Sequence, residues 1–146
     1  MNIRNAKASD LDALYAIGLR TPEFKVSVND NFMTVSEFSA CIDKGVMIVA
    51  EDEGEILGFI YASTGDAERA PGSPWACLVY LTVIPTRRRR GIAHVLYHEC
   101  IRQLQADGVK RVYGWASTSA SSGISTFLKN LGFDTGHTYT WMDRAI

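Results

Sequence analysis

The sequence predicts an α/β fold in which helices flank a mixed β-sheet. Three observations carry that prediction. Apolar runs rich in β-branched and aromatic residues are interleaved with segments whose apolar positions recur at helical spacing. Two neighbouring runs are separated by a short polar stretch, as in a hairpin. Two later runs are separated by a long helical segment, as a crossover between parallel strands requires. The 146 residues suffice for one sizeable core, and no repeat, composition shift or low-complexity tract divides them, so residues 1–146 read as a single domain.

Residues 2–7 form the first expected strand. Ser9-Asp10-Leu11-Asp12 then has the spacing that satisfies orphan amides at a helix start, and Leu11, Leu14, Tyr15 and Ile17 give that helix one apolar face. Thr21–Met33 reads as a loop. A second helix is expected from Thr34, with Glu37 as reciprocal cap, Phe38, Cys41 and Ile42 as its stripe and Gly45 as its stop. Val46–Ala50 and Ile56–Ala62 follow as a hairpin around a polar turn containing Gly54. After a Gly-, Pro- and Ser-rich loop at Ser63–Pro74, the stretch Trp75–Ile84 is nearly all apolar and ends at Pro85, the pattern of a buried central strand. The clearest helix runs from Gly91 to Asp107, with Ile92, Val95, Leu96, Cys100 and Leu104 on one face and Gly108 suited to a left-handed C-terminal turn. Val109–Ala116 reads as a strand. Ser119–Leu131 reads as a helix with Ile124, Phe127, Leu128 and Leu131 inward and Gly132 as its stop, and Thr135–Met142 as a last strand.

Composition narrows the function classes. With 15 basic and 16 acidic residues the net charge is -1, which gives no global attraction to nucleic acid or to an anionic membrane; any basic site must be local. No apolar stretch approaches the ~20 residues needed to span a bilayer, and Met1-Asn2-Ile3-Arg4 has no apolar signal region, so the expected location is the cytoplasm. Cys41, Cys77 and Cys100 are odd in number, widely spaced and set among apolar neighbours, which marks them as small core residues and not as a disulfide framework. No metal is expected: the cysteines lack ligand spacing, and His94, His98 and His137 do not form the H-E-x-x-H pattern.

The most informative passage is Leu81-Thr82-Val83-Ile84-Pro85-Thr86-Arg87-Arg88-Arg89-Arg90-Gly91-Ile92-Ala93, where a buried strand runs through a basic turn into a helix. A helix start presents backbone N–H groups and the positive end of the macrodipole, and Gly91 with the small Ala93 lets a phosphate approach the backbone. Adjacent arginines add charge-assisted hydrogen bonds. Such a run can also be a solvated charge cluster or an RNA-binding patch. Its placement between the most apolar strand and the most periodic helix favours an ordered phosphate site. Neither G-x-x-x-x-G-K-S/T nor G-x-G-x-x-G occurs, which sets aside nucleotide-binding loops of those kinds.

Arg88-Arg89-Arg90-Gly91-Ile92-Ala93 resembles the Q/R-x-x-G-x-G/A pyrophosphate loop of GNAT N-acetyltransferases, preceded by the V-x-P of Val83-Ile84-Pro85. Phe127-Leu128-Lys129-Asn130-Leu131-Gly132-Phe133 resembles the family's F-Y-x-x-x-G-F landmark, in the right order after the next strand. The resemblance runs nearly end to end and implies the GNAT fold, with a central mixed sheet of about six to seven strands flanked by about four helices. It also implies acetyl-CoA as cosubstrate and an amine-bearing acceptor. By similarity, the amides of Arg89, Arg90, Gly91, Ile92, Ala93 and His94 hold the pyrophosphate, and Leu81, Thr82 and Val83 pair with the pantetheine arm like an added strand. Arg87 or Arg88 reaches a further phosphate, and Ser121 and Phe127 contribute from the last helix. A main-chain N–H near Val83 is the oxyanion donor the resemblance implies.

The sequence departs from the family at two chemically relevant places. Leu128 stands where many relatives carry the tyrosine that protonates the leaving thiolate, and Cys77-Leu78-Val79-Tyr80-Leu81-Thr82 holds no carboxylate where many carry a glutamate. A coenzyme A thiol with the pKa of about 8.5 of a cysteine is a tolerable leaving group, but losing general-acid help of ~10²–10⁴-fold predicts slow turnover or a substitute donor. Tyr80 and Tyr139 are the candidate acids and Glu23, in the loop that borders the acceptor pocket in this family, is the candidate base. Glu23, Asp30, Phe24, Phe32 and Met33 suggest an acceptor with a cationic group on an apolar body. The alternative function is a weakly active or inactive acetyl-CoA sensor. A homodimer is expected from family habit and from strand edges near the C-terminus.

Overall fold

The structure, a computed structural model, describes residues 1–64, 74–119 and 123–146. Most of the loop expected at Ser63–Pro74 and the candidate Ser121 lie outside the described residues. Among the described residues one sheet of five strands runs in the order β1 (Asn2–Asn5), β2 (Gly45–Asp52), β3 (Glu55–Ser63), β4 (Trp75–Val83) and β5 (Arg111–Tyr113). The first four pair antiparallel in succession, and β5 lies parallel to β4. The helices are α1 (Leu11–Leu19), α2 (Val35–Lys44), α3 (Ile92–Ala106) and α4 (Ile124–Asn130). The sheet is mixed because α3 carries the chain back from the end of β4 to the start of β5.

The alternation of β2 builds two cores. Val46, Ile48 and Ala50 face a cluster with Ile60, Ala62, Val83 and the α3 residues Ile92, Leu96, Cys100 and Leu104. Met47 and Val49 face the opposite cluster, where Phe59 and Tyr61 meet Leu14, Phe32, Phe38 and Cys41. Because both faces of the strand are buried, its residues read as a continuous apolar run. All three cysteines are buried, as expected of small core residues.

Local rules hold where the signal is local. Thr34 caps α2 as expected, its hydroxyl accepting from the Glu37 N–H (3.2 Å) while the Glu37 carboxylate accepts from the Thr34 N–H (2.9 Å). The β2–β3 reversal places Glu53 at φ 48° and Gly54 at φ 82°, the left-handed pair of a two-residue hairpin turn. At α1 the capping lies one step earlier than expected. A short 3₁₀ turn, Ala8–Asp10, precedes the helix, and Asp10 accepts from the Lys7 N–H (2.7 Å) and from both arms of Arg4 (2.7 and 2.9 Å).

Two expectations are corrected and one is refined. Gly45 ends α2 as expected, but in an extended conformation that opens β2, and glycine is required there because a Cβ would lie 2.2 Å from the Ala62 carbonyl oxygen. α4 begins at Ile124, after Gly123 in the left-handed region, and not at Ser119, which is irregular. Thr135–Met142 is not a strand, so the sheet has five strands among the described residues and not six to seven. β propensity needs an edge to pair with, and β5 spans three residues before the chain becomes irregular at Gly114.

Candidate active site

Among the described residues β4 pairs on both sides only at Cys77. It pairs with β5 at Trp75↔Arg111, Ala76↔Val112 and Cys77↔Tyr113, and from Leu78 to Val83 it keeps β3 alone. One local feature sets this stretch apart. The register against β3 steps from Tyr61↔Tyr80 to Ala62↔Leu78, so Val79 is an extra residue, a β-bulge that bends and twists β4. The bulge puts consecutive side chains, Val79 and Tyr80, on the α1–α2 face, while Leu78 and Leu81 pack on the α3 face. Just past β5, Gly114 still approaches β4 closely, its Cβ position 3.1 Å from the Leu78 carbonyl oxygen. The result is a gap inside the sheet, lined by one open strand edge, which can receive an extended ligand as an added strand.

The open edge leads into the basic turn. Ile84 donates to the Leu57 carbonyl (2.8 Å), Pro85–Arg87 makes one 3₁₀ turn, and the chain then passes through left-handed conformations at Arg89 (φ 59°) and Gly91 (φ 79°) before α3 starts. Alternating hands of this kind turn successive N–H groups toward one concavity. The first intrahelical bond of α3 is Val95 N–H to the Gly91 carbonyl (3.2 Å), so the N–H groups of Ile92, Ala93 and His94 belong to the unpaired first turn. A Cβ on Gly91 would meet nothing within 4 Å, so the space above the turn is open.

The four arginines are not equivalent. Arg88 turns back, its Nε donating to the Val83 carbonyl at 2.8 Å, and so ties the turn to the end of β4. Arg87 lies 3.5 Å from Glu55. Arg89 and Arg90 are exposed beside Gly91. Thr82 and Val83 are buried and Leu81 is half-buried. β3 is pressed against this end of β4: a Cβ on Gly58 would lie 2.4 Å from the Thr82 oxygen. Phe127 packs edge-on against His94 (5.1 Å between centroids), which fixes α4 beside the start of α3.

The candidate acid–base residues fall in three places. Tyr80 stands in an aromatic cluster on the α1–α2 face, with Phe24 at 4.5 Å and Phe32 at 5.6 Å between ring centroids. Burial pushes its hydroxyl up to about 12, so it keeps its proton at neutral pH and suits an acid, not a base. Glu23 is exposed on a 3₁₀ turn, Pro22–Phe24, whose last residue, Phe24, packs against Tyr80. Tyr139 is exposed and meets the edge of Trp115 at 5.7 Å, on the chain that follows β5.

Sequence reasoning missed the bulge, the inward turn of Arg88 and the hydrogen bond that ties Asp143 to Asn29 of the α1–α2 loop. A bulge without glycine or proline carries no sequence signal. A cavity of about 520 Å³, lined by residues that include Arg20, Thr21, Glu55, Thr82 and Arg88, opens between α1 and the β2–β3 turn. It borders the end of β4 and the basic turn at Val83, Pro85 and Arg88. Among the described residues no group of three or more His, Cys, Asp or Glu side chains is placed to hold a metal ion, and no helix is long and apolar enough to cross a membrane.

A sequence profile of the Acetyltransferase (GNAT) family matches residues 13–133. Among solved structures, an aminoglycoside acetyltransferase from an uncultured soil metagenomic sample superimposes with a TM-score of 0.72 at 18% identity, covering 99% of this chain and 98% of that one. The aminoglycoside N-acetyltransferase AAC(6')-Iy, in complex with a bisubstrate analogue of coenzyme A and acetylneamine, gives 0.71 at 21% identity, covering 99% and 98%. An N-acetyltransferase from Staphylococcus aureus Mu50 gives 0.70 at 22% identity, covering 89% and 81%. At these identities the likeness establishes the fold.

Proposed function

The chain belongs to the GNAT acetyltransferase family, and from that premise we propose that it is an acetyl-CoA-dependent N-acetyltransferase acting on a small amine in the cytoplasm, with residues 1–146 as one catalytic domain. The observation that carries this reading is the continuity of the open β4 edge with a left-handed basic turn and an unpaired helix start. Those features match the two chemical ends of the cosubstrate: an extended amide-bearing arm and a diphosphate.

The residues present fit that molecule. The main chain of Leu81, Thr82 and Val83 would pair with the arm, and the N–H groups from Arg89 to His94 would surround the diphosphate with Arg89 and Arg90 alongside. Phe127 would border it from α4. When bound, acetyl-CoA supplies an activated acyl group that a neutral amine can attack directly. The chain's share is to hold the amine beside the open edge, exclude competing water and offer main-chain N–H groups to the carbonyl oxygen. Tyr80 holds a proton close to the bulge, and Leu128 holds none. Tyr80 is therefore the acid in this reading, with Glu23 the carboxylate at the acceptor side.

The absence of a carboxylate between Cys77 and Thr82, together with Leu128, favours one second reading, an acetyl-CoA-binding sensor without turnover. Calorimetry with coenzyme A and a thiol-release assay over an amine panel separate the two. Binding with coenzyme A release supports the enzyme, binding without release supports the sensor, and no binding removes both.

A further inference from the structure

Two segments meet twice beside the open edge. At the end of α1 the Thr21 N–H donates to the Gly18 carbonyl (3.1 Å), and the Thr21 carbonyl accepts from the Phe24 N–H (3.1 Å), which closes the Pro22–Phe24 turn. Thr21 is therefore the residue on which the turn is mounted. Its side chain meets that of Thr82, with 3.3 Å between the hydroxyl oxygens, and both residues are only 7% exposed. Three positions after Thr21, the Phe24 ring centroid lies 4.5 Å from that of Tyr80. Tyr80 and Thr82 are alternate residues of β4, on the same face. The turn is thus held to β4 on either side of Glu23.

The direction of the inner contact is determined. A hydroxyl has one proton, and that of Thr21 goes to the Ile17 carbonyl at 2.9 Å, so Thr82 donates and Thr21 accepts. The fold does not require this pair. The Ile17 carbonyl also accepts from the Arg20 N–H (3.1 Å) and stays bonded without the Thr21 hydroxyl. Replacing both partners of a buried hydrogen bond by apolar groups of the same shape is close to neutral, and valine has the shape of threonine and suits a strand. What two valines lack is direction. Apolar attraction tolerates sliding, whereas a hydrogen bond fixes the distance and angle at which the end of α1 meets β4. The bond also has room to tighten, since 3.3 Å exceeds the separation of about 2.5–3.0 Å usual between hydroxyls.

We propose that Thr21 and Thr82 are positioning residues that hold the Glu23 turn in register with the cofactor edge, and that a cofactor pairing with β4 tightens their bond and with it the turn. Thr82 stands between Leu81 and Val83, so an added strand at those residues restrains the donor of the bond. The proposal rests on the acetyltransferase reading for the identity of that strand.

Amide hydrogen exchange with and without coenzyme A tests it in the wild type, Thr21→Ser, Thr21→Val and the double variant Thr21→Val/Thr82→Val. The Phe24 and Lys25 N–H groups, bonded to the Thr21 and Pro22 carbonyls at 3.1 Å, report on the turn, and those of Ile92, Ala93 and His94 report occupancy of the helix start. Coenzyme A at saturation is expected to slow exchange at Phe24 and Lys25 about two- to tenfold in the wild type and in Thr21→Ser, which keeps the hydroxyl. In Thr21→Val and in the double variant, where no hydroxyl is left unpaired, that slowing is expected to vanish while the slowing at Ile92–His94 persists. A role in stability alone would speed exchange at the turn by the same factor with and without coenzyme A, and that result overturns the proposal. So does slowing at Ile92–His94 with none at the turn in the wild type, an outcome that leaves the acetyltransferase reading standing. Absence of slowing at Ile92–His94 in the wild type overturns that reading and this proposal together.

Discussion

Gly91 and Gly108 make a controlled pair for the phosphate turn. Both lie in the left-handed region, at φ 79° and 85°, and a Cβ built on either meets no atom within 4 Å. They bracket the same helix, Gly91 as its N-cap and Gly108 just past its end, where its N–H donates to the Gln105 carbonyl at 3.1 Å. Replacement by alanine therefore imposes the same backbone strain at each, about 1–2 kcal/mol, without a clash. For a chain of this size that is a fall in Tm of about 2–8 °C in each variant. Only at Gly91 does the new methyl group enter the space that a diphosphate needs in order to reach the main-chain N–H groups. Losing one charge-assisted hydrogen bond there should weaken acetyl-CoA binding about 10- to 100-fold, while Gly108→Ala binds as the wild type does. Scanning calorimetry gives the two Tm values and titration calorimetry the two affinities. Equal Tm shifts with equal affinities would refute the assignment of the diphosphate to the α3 start, and unequal Tm shifts would refute the claim that the two sites are equally open.

Three further perturbations test other parts of the structure. Gly58→Ala places a methyl group 2.4 Å from the Thr82 oxygen and 2.9 Å from the Val83 Cα, so β3 and β4 must separate; a loss of about 1–3 kcal/mol in urea denaturation is expected, with weaker cofactor binding, and unchanged stability would contradict the close strand approach. Asp10 is held below its ordinary carboxylate value, first by its hydrogen bonds from Arg4, so its contribution is complete above the unfolded value of about 3.9 and disappears as pH falls through the depressed folded value. Asp10→Asn should accordingly be less stable than wild type by about 1.5–3 kcal/mol at pH 7 and converge with it in acid, as the pH falls through the depressed folded value, and a gap that persists once Asp10 is protonated would show that the ion pair is not its source. Tyr80→Phe should lower kcat about 10²-fold with acetyl-CoA affinity unchanged, and an unaltered kcat would assign the proton to another donor.

The parts of the fold that were legible in the sequence are those decided within a few residues. Thr34 and Glu37 announce the α2 start because the capping interaction spans three positions, and the periodicity of Ile92, Leu96, Cys100 and Leu104 is read without knowing what they pack against. The turn before α3 was legible for the same reason: Gly91 and its arginines adjoin the helix start. Gly45 was legible as the end of α2, but its second constraint, the approach of Ala62 across the hairpin, has no local signal. The strand pattern of Thr135–Met142 failed. Its alternation is genuine, but a strand is a relation between two segments, and the three-residue β5 offers too little edge to sustain one.

The most consequential feature, the gap between β4 and β5, was the least legible, and there is a physical reason for this. It arises from one extra residue in the register of β4 against β3, and register is set by which side chains reach which core. Without Val79 as the additional residue, Leu78 and Leu81, three positions apart, could not both lie on the α3 face. The bulge is thus the geometry by which one strand satisfies two cores, and the open edge follows from it. An interior strand with a free edge would ordinarily be a weak point. Here the buried Ala76, Cys77, Thr82 and Val83 and the continuous pairing with β3 hold β4 in place, so the exposed main chain of the site is supported by apolar contacts made on both sides of it.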